Sequence, residues 1–320
     1  MAVDAPRLLV LRALGLGDLL TAVPALRSLA AAFADHQRLL AMPLGLAPLL
    51  RLLGDGDGDP AFDVLDARPL RALGAAAQRP DVAVNLHGRG PQSHAILAAT
   101  DPGRMIAFAH VDVPGHEGPR WERHEHEVHR WCRLLAESGI PADPADRALR
   151  RPALTPPAGS HGATIVHPGA ASPARRWPPA RWVAVASAER CAGRRVLVTG
   201  SGSERPLALA VADAAGLPRG DVLAGATDLL GLAALVAAAG RVVCGDTGVA
   251  HLATAFGTPS VLLFGPTPPA EWGPPRDPRH RVLWAGRTGD PHADRPDPGL
   301  LAITPARVVD ELRRLDRLPA

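Results

Sequence analysis

Short apolar runs alternate with stretches of helical period along almost the whole chain. Leu8, Leu9, Val10 and Leu11 predict a buried strand, residues 12–18 the turn after it, and 19–33 a helix in which Pro24 comes early enough to be tolerated or to kink the first turns. Further strands are predicted at 39–42, 82–86 and 105–109, helices over 92–99 and 121–139, and a helix or turn over 43–53. Residues 142–160 are rich in Pro and Asp and lack periodicity, which marks a linker. Beyond it the alternation restarts, with strands at 164–166, 195–199, 222–224, 242–244 and 261–264. The helices between them fall over 181–192, 206–215, 228–239 with Thr227 as cap, and from residue 248 onward. A final amphipathic helix runs over 306–315, capped by Thr304 with Pro305 at its first position. Strand–helix alternation on both sides of a linker predicts an α/β protein of two doubly wound, parallel-sheet domains. Ligands of such domains bind at the carboxyl ends of strands, and a ligand shared by two of them lies in the cleft between.

The composition, 47% hydrophobic and 21% charged with a net charge of +3, describes a soluble globular protein whose 320 residues suit two domains. All 35 basic residues are Arg, so Lys-based covalent chemistry is excluded, and Tyr is absent too. The pI near 9.3 is a mild lean toward acidic partners rather than a nucleic-acid footprint. Cys132, Cys191 and Cys244 are odd in number and widely spaced, which argues against a disulfide framework and a thiolate metal site. No apolar run is long enough to span a membrane, and Arg12 and Asp18 interrupt what would be a leader's apolar region. A cytoplasmic location follows, with peripheral contact at the inner face of a membrane left open. In the run from Gly54 to Pro60, Pro60 stands where an EF-hand needs Gly and Asp66 where it needs Glu, so a solvated loop competes with a calcium loop. His124, His126 and His129 do not make HExxH, because Val128 takes the fourth place after His124.

Candidate chemistry concentrates in the loops. Between the strands at 242–244 and 261–264, Asp246, Thr247 and Gly248 open a helix whose free N–H groups and dipole favour an anion such as a phosphate. His251 follows Thr247 by four residues on the same helix face. Asp18 is the one acidic residue of the first loop, and its position fits a general base or a carboxylate that caps its own helix equally well. Gly15 and Gly17 beside it would let the backbone approach substrate. Arg175 and Arg176 precede a helix and could neutralise a diphosphate or merely lie on the surface. Glu204 could bind sugar hydroxyls or cap a helix start, and His251 could meet a ligand or pack. Arg12, Asn85 and His87 flank the first loop and are candidates for an acceptor side. No metal-binding triad stands beside these groups.

Four ordered segments carry a resemblance to a known family. They are residues 8–29 with a Gly-Asp turn, 167–182 with His-Pro-Gly-Ala and Trp-Pro, 198–204 with a Glu after a Gly-rich turn, and 228–272 with Asp-Thr-Gly, His251, Gly-Thr-Pro and Phe-Gly-Pro-Thr. Together they resemble glycosyltransferase family 9, the ADP-heptose-dependent heptosyltransferases of GT-B fold. The resemblance implies an acceptor-binding domain at 1–155, a nucleotide-sugar-binding domain at 156–305, and a last helix at 306–320 that crosses back to the first domain. It implies an inverting transfer with Asp18 as base and Arg175, Arg176, Glu204, Asp246, Thr247, Gly248 and His251 on the donor. The donor would be a nucleotide sugar, ADP-linked, with no metal and no other cofactor. The acceptor would be a glycolipid, as in lipopolysaccharide biosynthesis, or a glycan or small molecule. The chain departs from the family where a Lys commonly stands and this sequence has Arg175, which keeps the charge but not the geometry. A nucleotide-sugar epimerase of the same architecture, or a non-catalytic sugar-nucleotide binder, would carry the same pattern.

Overall fold

The computed structural model describes residues 5–54 and 59–318. The chain divides into two compact units, Met1–Arg150 and Arg151–Ala320. The division falls where backbone loyalties change: the Arg150 N–H donates to Leu52 O at 3.0 Å, whereas the Arg151 guanidinium donates to Ala237 O at 2.5 Å.

In the first unit the order is β1 (Arg7–Leu11), α1 (Leu16–Thr21), α2 (Val23–Ala32), β2 (Gln37–Met42), β3 (Asp63–Asp66), β4 (Val82–Asn85), α3 (Gln92–Ala98), β5 (Arg104–Ile106) and α4 (Glu127–Glu137). The strands form one parallel sheet in the order β3-β2-β1-β4-β5. Leu8, Leu9 and Val10 are wholly buried because helices cover both faces of such a sheet, which is why β1 reads as a continuous apolar run. The strand order reverses between β1 and β4. Connections from those two strands leave in opposite directions, and a crevice opens at their carboxyl ends.

The second unit holds β6 (Thr164–His167), α5 (Pro179–Cys191), β7 (Val196–Val198), α6 (Arg205–Ala215), α7 (Leu229–Ala238), β8 (Arg241–Gly245), α8 (Gly248–Phe256), β9 (Ser260–Leu263), α9 (Pro269–Trp272), β10 (His280–Leu283), α10 (Pro298–Leu301) and α11 (Pro305–Leu315). Its sheet is again all parallel, in the order β10-β9-β8-β6-β7, and reverses between β6 and β8. The two doubly wound units are those of the GT-B pattern.

Several expectations are corrected. The helix expected over 19–33 is two, broken at Ala22 just ahead of Pro24. The helix expected from residue 121 starts at Glu127, with His126 accepting from the Val128 N–H as its cap. The Arg130 side chain takes the carbonyls of Glu122, Arg123 and Glu125 and lies 4.2 Å from the Trp121 ring centroid, so these carbonyls serve a guanidinium instead of a helix ladder. Asp228, not Thr227, caps α7 through a bond from the Gly231 N–H. Of the strand expected at 222–224 only a single bridge from Val222 to Val198 forms. The first part of the expected linker is packed, since Arg27 donates to the carbonyls of Asp146 and Ala148.

The last helix packs on the second unit. Its apolar stripe, Val308, Leu312 and Leu315, is buried in the core of the second unit, and Arg241 of β8 donates to Leu312 O and pairs with Asp316. Thr304 caps this helix as expected, accepting from the Arg307 N–H. Residues 55–58 of the calcium-like run lie outside the described residues. Among the described residues no helix is long and apolar enough to cross a membrane.

Candidate active site

The carboxyl end of the first sheet is organised by Arg12, the residue after β1. Its side chain is fully buried and every branch is used. Nε and Nη2 donate to Asp18 O at 3.0 and 2.8 Å, Nη2 also to Thr21 Oγ1 and Glu127 Oε1 at 3.2 and 3.1 Å, and Nη1 to Leu86 O. The guanidinium lies 4.8 Å from the Trp131 ring centroid, and Trp131 Nε1 donates to Glu127 Oε1 at 2.9 Å. Glu127, buried at the start of α4, is shared by Arg12, Arg130 and Trp131. A buried charge is tolerated when paired and hydrogen-bonded, and the Arg12 guanidinium meets that condition, whereas Arg130 Nε is buried without a partner. Sequence reading misses Glu127 because its partner lies 115 residues earlier.

Asp18 sits in the first turn of α1, and its Oδ2 accepts from the Gly15 N–H at 3.1 Å. The capping role is therefore real. Its Oδ1 stands 3.7 Å from Arg12 Nη2, and the side chain keeps 29% exposure. Burial raises its pKa above the ordinary aspartate value; the charge of Arg12 opposes that rise and the charge of Glu127 adds to it. A carboxylate so placed can cap with one oxygen and accept a proton with the other. Of the two glycines beside it, Gly17 lies within α1, and a Cβ on Gly15 would meet Asp18 Oδ2 at an ordinary 3.5 Å.

The three residues expected on an acceptor side separate. Arg12 is committed to its network. Asn85 is fully buried, donates to Ser93 Oγ at 2.9 Å and accepts the His87 N–H at 3.0 Å, which makes it a brace for the loop after β4. His87 differs, because its Nδ1 is buried and has no hydrogen-bond partner. Burial and the nearby charge of Arg12 push its pKa down to about 4, so the ring is neutral at ordinary pH.

In the second unit, the loops after β7, β6 and β8 are neighbours because those strands are, and they carry the expected donor residues. Ser172 caps the turn Pro173–Arg175 that delivers Arg175, whose Nη1 lies 3.4 Å from Asp246 O and 3.7 Å from Asp246 Oδ2. Arg175 Nε is buried without a partner. The N–H of Asp297, ahead of α10, holds this turn from behind by donating to Ala174 O at 3.0 Å, a contact the sequence pattern does not signal. Asp246 is buried, and Thr247 is the residue ahead of α8 but makes no side-chain cap. Thr247 Oγ1 is buried without a hydrogen-bond partner, and its interaction with the Cys244 thiol opposes the rise that burial gives the thiol's pKa. Gly248 supplies the first N–H of α8. His251, one turn on, packs edge-on to Trp272 with ring centroids 6.1 Å apart.

Arg176 and Glu204 form a separate cluster with His167. Arg176 Nε donates to Ala170 O at 2.9 Å and braces its own loop. Glu204 accepts from the Ser201 N–H and hydroxyl at 2.8 and 2.9 Å. Burial disfavours its charge, but the Ser201 bonds and the charges of His167 and Arg176 outweigh that and hold the carboxyl below its ordinary range. Glu204 thus caps its own turn while one oxygen, Oε1, faces Gly169, where any Cβ would stand 2.1 Å away. His167, the last residue of β6, meets Thr199 Oγ1 at 3.0 Å, and burial pushes its pKa down. Its position at a strand end in the His-Pro-Gly-Ala segment was the available signal.

A sequence model of glycosyltransferase family 9 (heptosyltransferase) matches residues 118–300. Lipopolysaccharide heptosyltransferase 2 of Escherichia coli is 35% identical over 161 residues, which cover 46% of this chain and 45% of that protein, so the match spans less than half of the relative. The solved structure of E. coli ADP-heptose lipopolysaccharide heptosyltransferase II superposes with a TM-score of 0.73 at 23% identity, covering 97% of this chain and 98% of the other. That of E. coli heptosyltransferase WaaC with ADP does so with a TM-score of 0.68 at 17% identity, covering 97% and 99%.

Proposed function

This chain belongs to glycosyltransferase family 9, and from that premise we propose that it transfers a sugar, heptose from ADP-heptose, to a hydroxyl of a glycolipid or glycan acceptor. The observation that carries the donor side is the pair of buried, unsatisfied groups, Thr247 Oγ1 and Arg175 Nε, around the amino end of the nine-residue helix α8. Unpaired buried donors cost stability and are kept where a ligand satisfies them. Free N–H groups, a hydroxyl and a guanidinium together match the oxygens of a diphosphate. Asp246 and Glu204 Oε1 are acceptors suited to sugar or ribose hydroxyls, and His251 lies on the same face of α8 as Thr247.

In this reading Asp18 accepts the proton of the acceptor hydroxyl as its oxygen attacks the anomeric carbon. The new C–O bond forms as the bond to the diphosphate breaks on the opposite face, so configuration inverts. The negative charge that develops on the leaving diphosphate falls to Arg175, Thr247 and the α8 amides, a complement that performs the work of a divalent cation. Arg176 acts through its loop and through Glu204. The enzyme works in the cytoplasm, and at the inner face of the membrane when the acceptor is a glycolipid.

A panel of nucleotides tests the reading. Thermal shift with ADP, UDP, GDP and TDP should single out ADP, and mass spectrometry should detect heptosyl product from ADP-heptose and a lipopolysaccharide acceptor at a rate unchanged by EDTA. Indifference to every nucleotide would defeat the transferase reading, and release of a free or epimerised sugar nucleotide without acceptor would replace it with an epimerase.

A further inference from the structure

We propose that His87 is the residue that grips the acceptor, its Nδ1 hydrogen-bonding a hydroxyl of the sugar that presents the nucleophile. The inference rests on the transferase reading and adds to it a residue and the kind of group it recognises. Four observations carry it.

His87 is the second residue of the loop after β4, the strand that borders the crevice with β1, so it stands at the same switch point as Asp18. The two positions are locked to each other by one side chain: the Arg12 guanidinium donates both to Asp18 O and to Leu86 O, the carbonyl of the peptide unit that leads into His87. The backbone of His87 is fixed a second time by its N–H on Asn85 Oδ1, and Asn85 is in turn held by Ser93. On this fixed backbone the ring leaves Nδ1 buried and unpartnered, beside polar groups, Arg12 and Asn85, that are bonded throughout. The loop beyond is open: a Cβ at Gly88 would meet nothing within 4 Å.

An orphaned nitrogen held against a crevice is what a site built to read a hydroxyl looks like before its ligand arrives. Its chemistry also limits the ligand. The imidazole is neutral, held so by burial and by Arg12, and a neutral ring offers one N–H or one lone pair to a hydroxyl without adding charge beside Asp18. It therefore suits an uncharged polyol edge, leaving anionic parts of an acceptor to be met elsewhere.

The test uses the full chain with ADP-heptose as donor and de-O-acylated, heptose-deficient lipopolysaccharide as acceptor. His87→Phe keeps the ring shape and removes the nitrogen; His87→Asn keeps a polar group near the Nδ1 position. We expect His87→Phe to lower kcat/KM for acceptor by about tenfold to a hundredfold, the range of one lost hydrogen bond to a partner left unpaired. The loss should lie mainly in acceptor KM, with ADP affinity by calorimetry unchanged and His87→Asn restoring most of it. Unaltered acceptor kinetics in His87→Phe would overturn the proposal. So would equal losses in both variants accompanied by a lowered Tm or weakened ADP binding, which would make His87 a structural residue. If the wild-type chain transfers nothing to this acceptor while binding ADP, the transferase reading with this acceptor fails, and that result is distinct from the failure of His87.

Discussion

The carboxyl ends of the two sheets occupy equivalent places in their folds and differ in how their charged groups are partnered. At the first, a buried guanidinium is saturated by two carbonyls, a hydroxyl and a carboxylate, and the candidate base beside it already has its capping partner. At the second, a hydroxyl and a guanidine nitrogen are buried with their bonding unfulfilled ahead of a helix. The first arrangement holds a charge in place and tunes it; the second waits for one. The difference shows that a doubly wound sheet supplies the location of a site, whereas the satisfied and unsatisfied groups around it decide what that location can hold.

The sharpest way to break this comparison is Asp18→Asn. It should reduce kcat by about 10²- to 10⁴-fold, the usual contribution of a general base, with ADP affinity by calorimetry unchanged. A parallel loss of ADP binding would erase the division between the two edges. The same variant should be more resistant to heat at neutral pH. The folded pKa of Asp18 is raised above the unfolded value, so its contribution to stability is full below the unfolded pKa and is lost as pH rises through the folded one. At neutral pH the ionised carboxylate is a net cost that Asn removes, and the gain over wild type should vanish in melts at acid pH.

Glu127→Ala probes the saturated network directly. It leaves Arg12 and Arg130 buried without their shared carboxylate and should destabilise the protein by about 3–5 kcal/mol in denaturant titration. Since Glu127 raises the Asp18 pKa, its removal should also move the acid limb of the kcat/KM profile to lower pH. A limb that stayed in place would dissociate the limb from Asp18.

At the second edge, Arg175→Ala should weaken ADP binding by about tenfold to a hundredfold, as expected for a lost charge-assisted contact. Arg175→Lys should recover part of it, because charge is kept and the forked geometry is not. The smallest effect is expected far from either edge. Thr304→Ala removes the cap of α11 and should cost about 1 kcal/mol in stability with transfer unchanged.

The sequence by itself determined the two-domain parallel architecture. Buried parallel strands must be continuous apolar runs, and the loops that follow them carry the chemistry, so β1, β4, β6, β8 and β9 and the residues Asp18, Asp246 and Thr247 could be read in order. What it could not convey were the elements whose character is set by distant partners. β3 is a short, half-exposed edge strand, and β10 carries only two buried residues, so neither stands out from its surroundings. Residues 121–126 have helical composition, yet Arg130 and Trp121 claim them for a different contact. The last helix is amphipathic wherever it docks, and the core of the second unit that takes its apolar stripe, together with the Arg241 side chain of β8, holds it on that unit. The same holds at the site. A sequence can name Arg12, Asn85 and His87 as neighbours of a crevice, but the packed structure decides that Arg12 is held by partners seventy or more positions away, Asn85 by Ser93 and the His87 N–H, and that His87 Nδ1 has no partner. Local pattern encodes burial, while satisfaction of polar groups is a property of the packed whole.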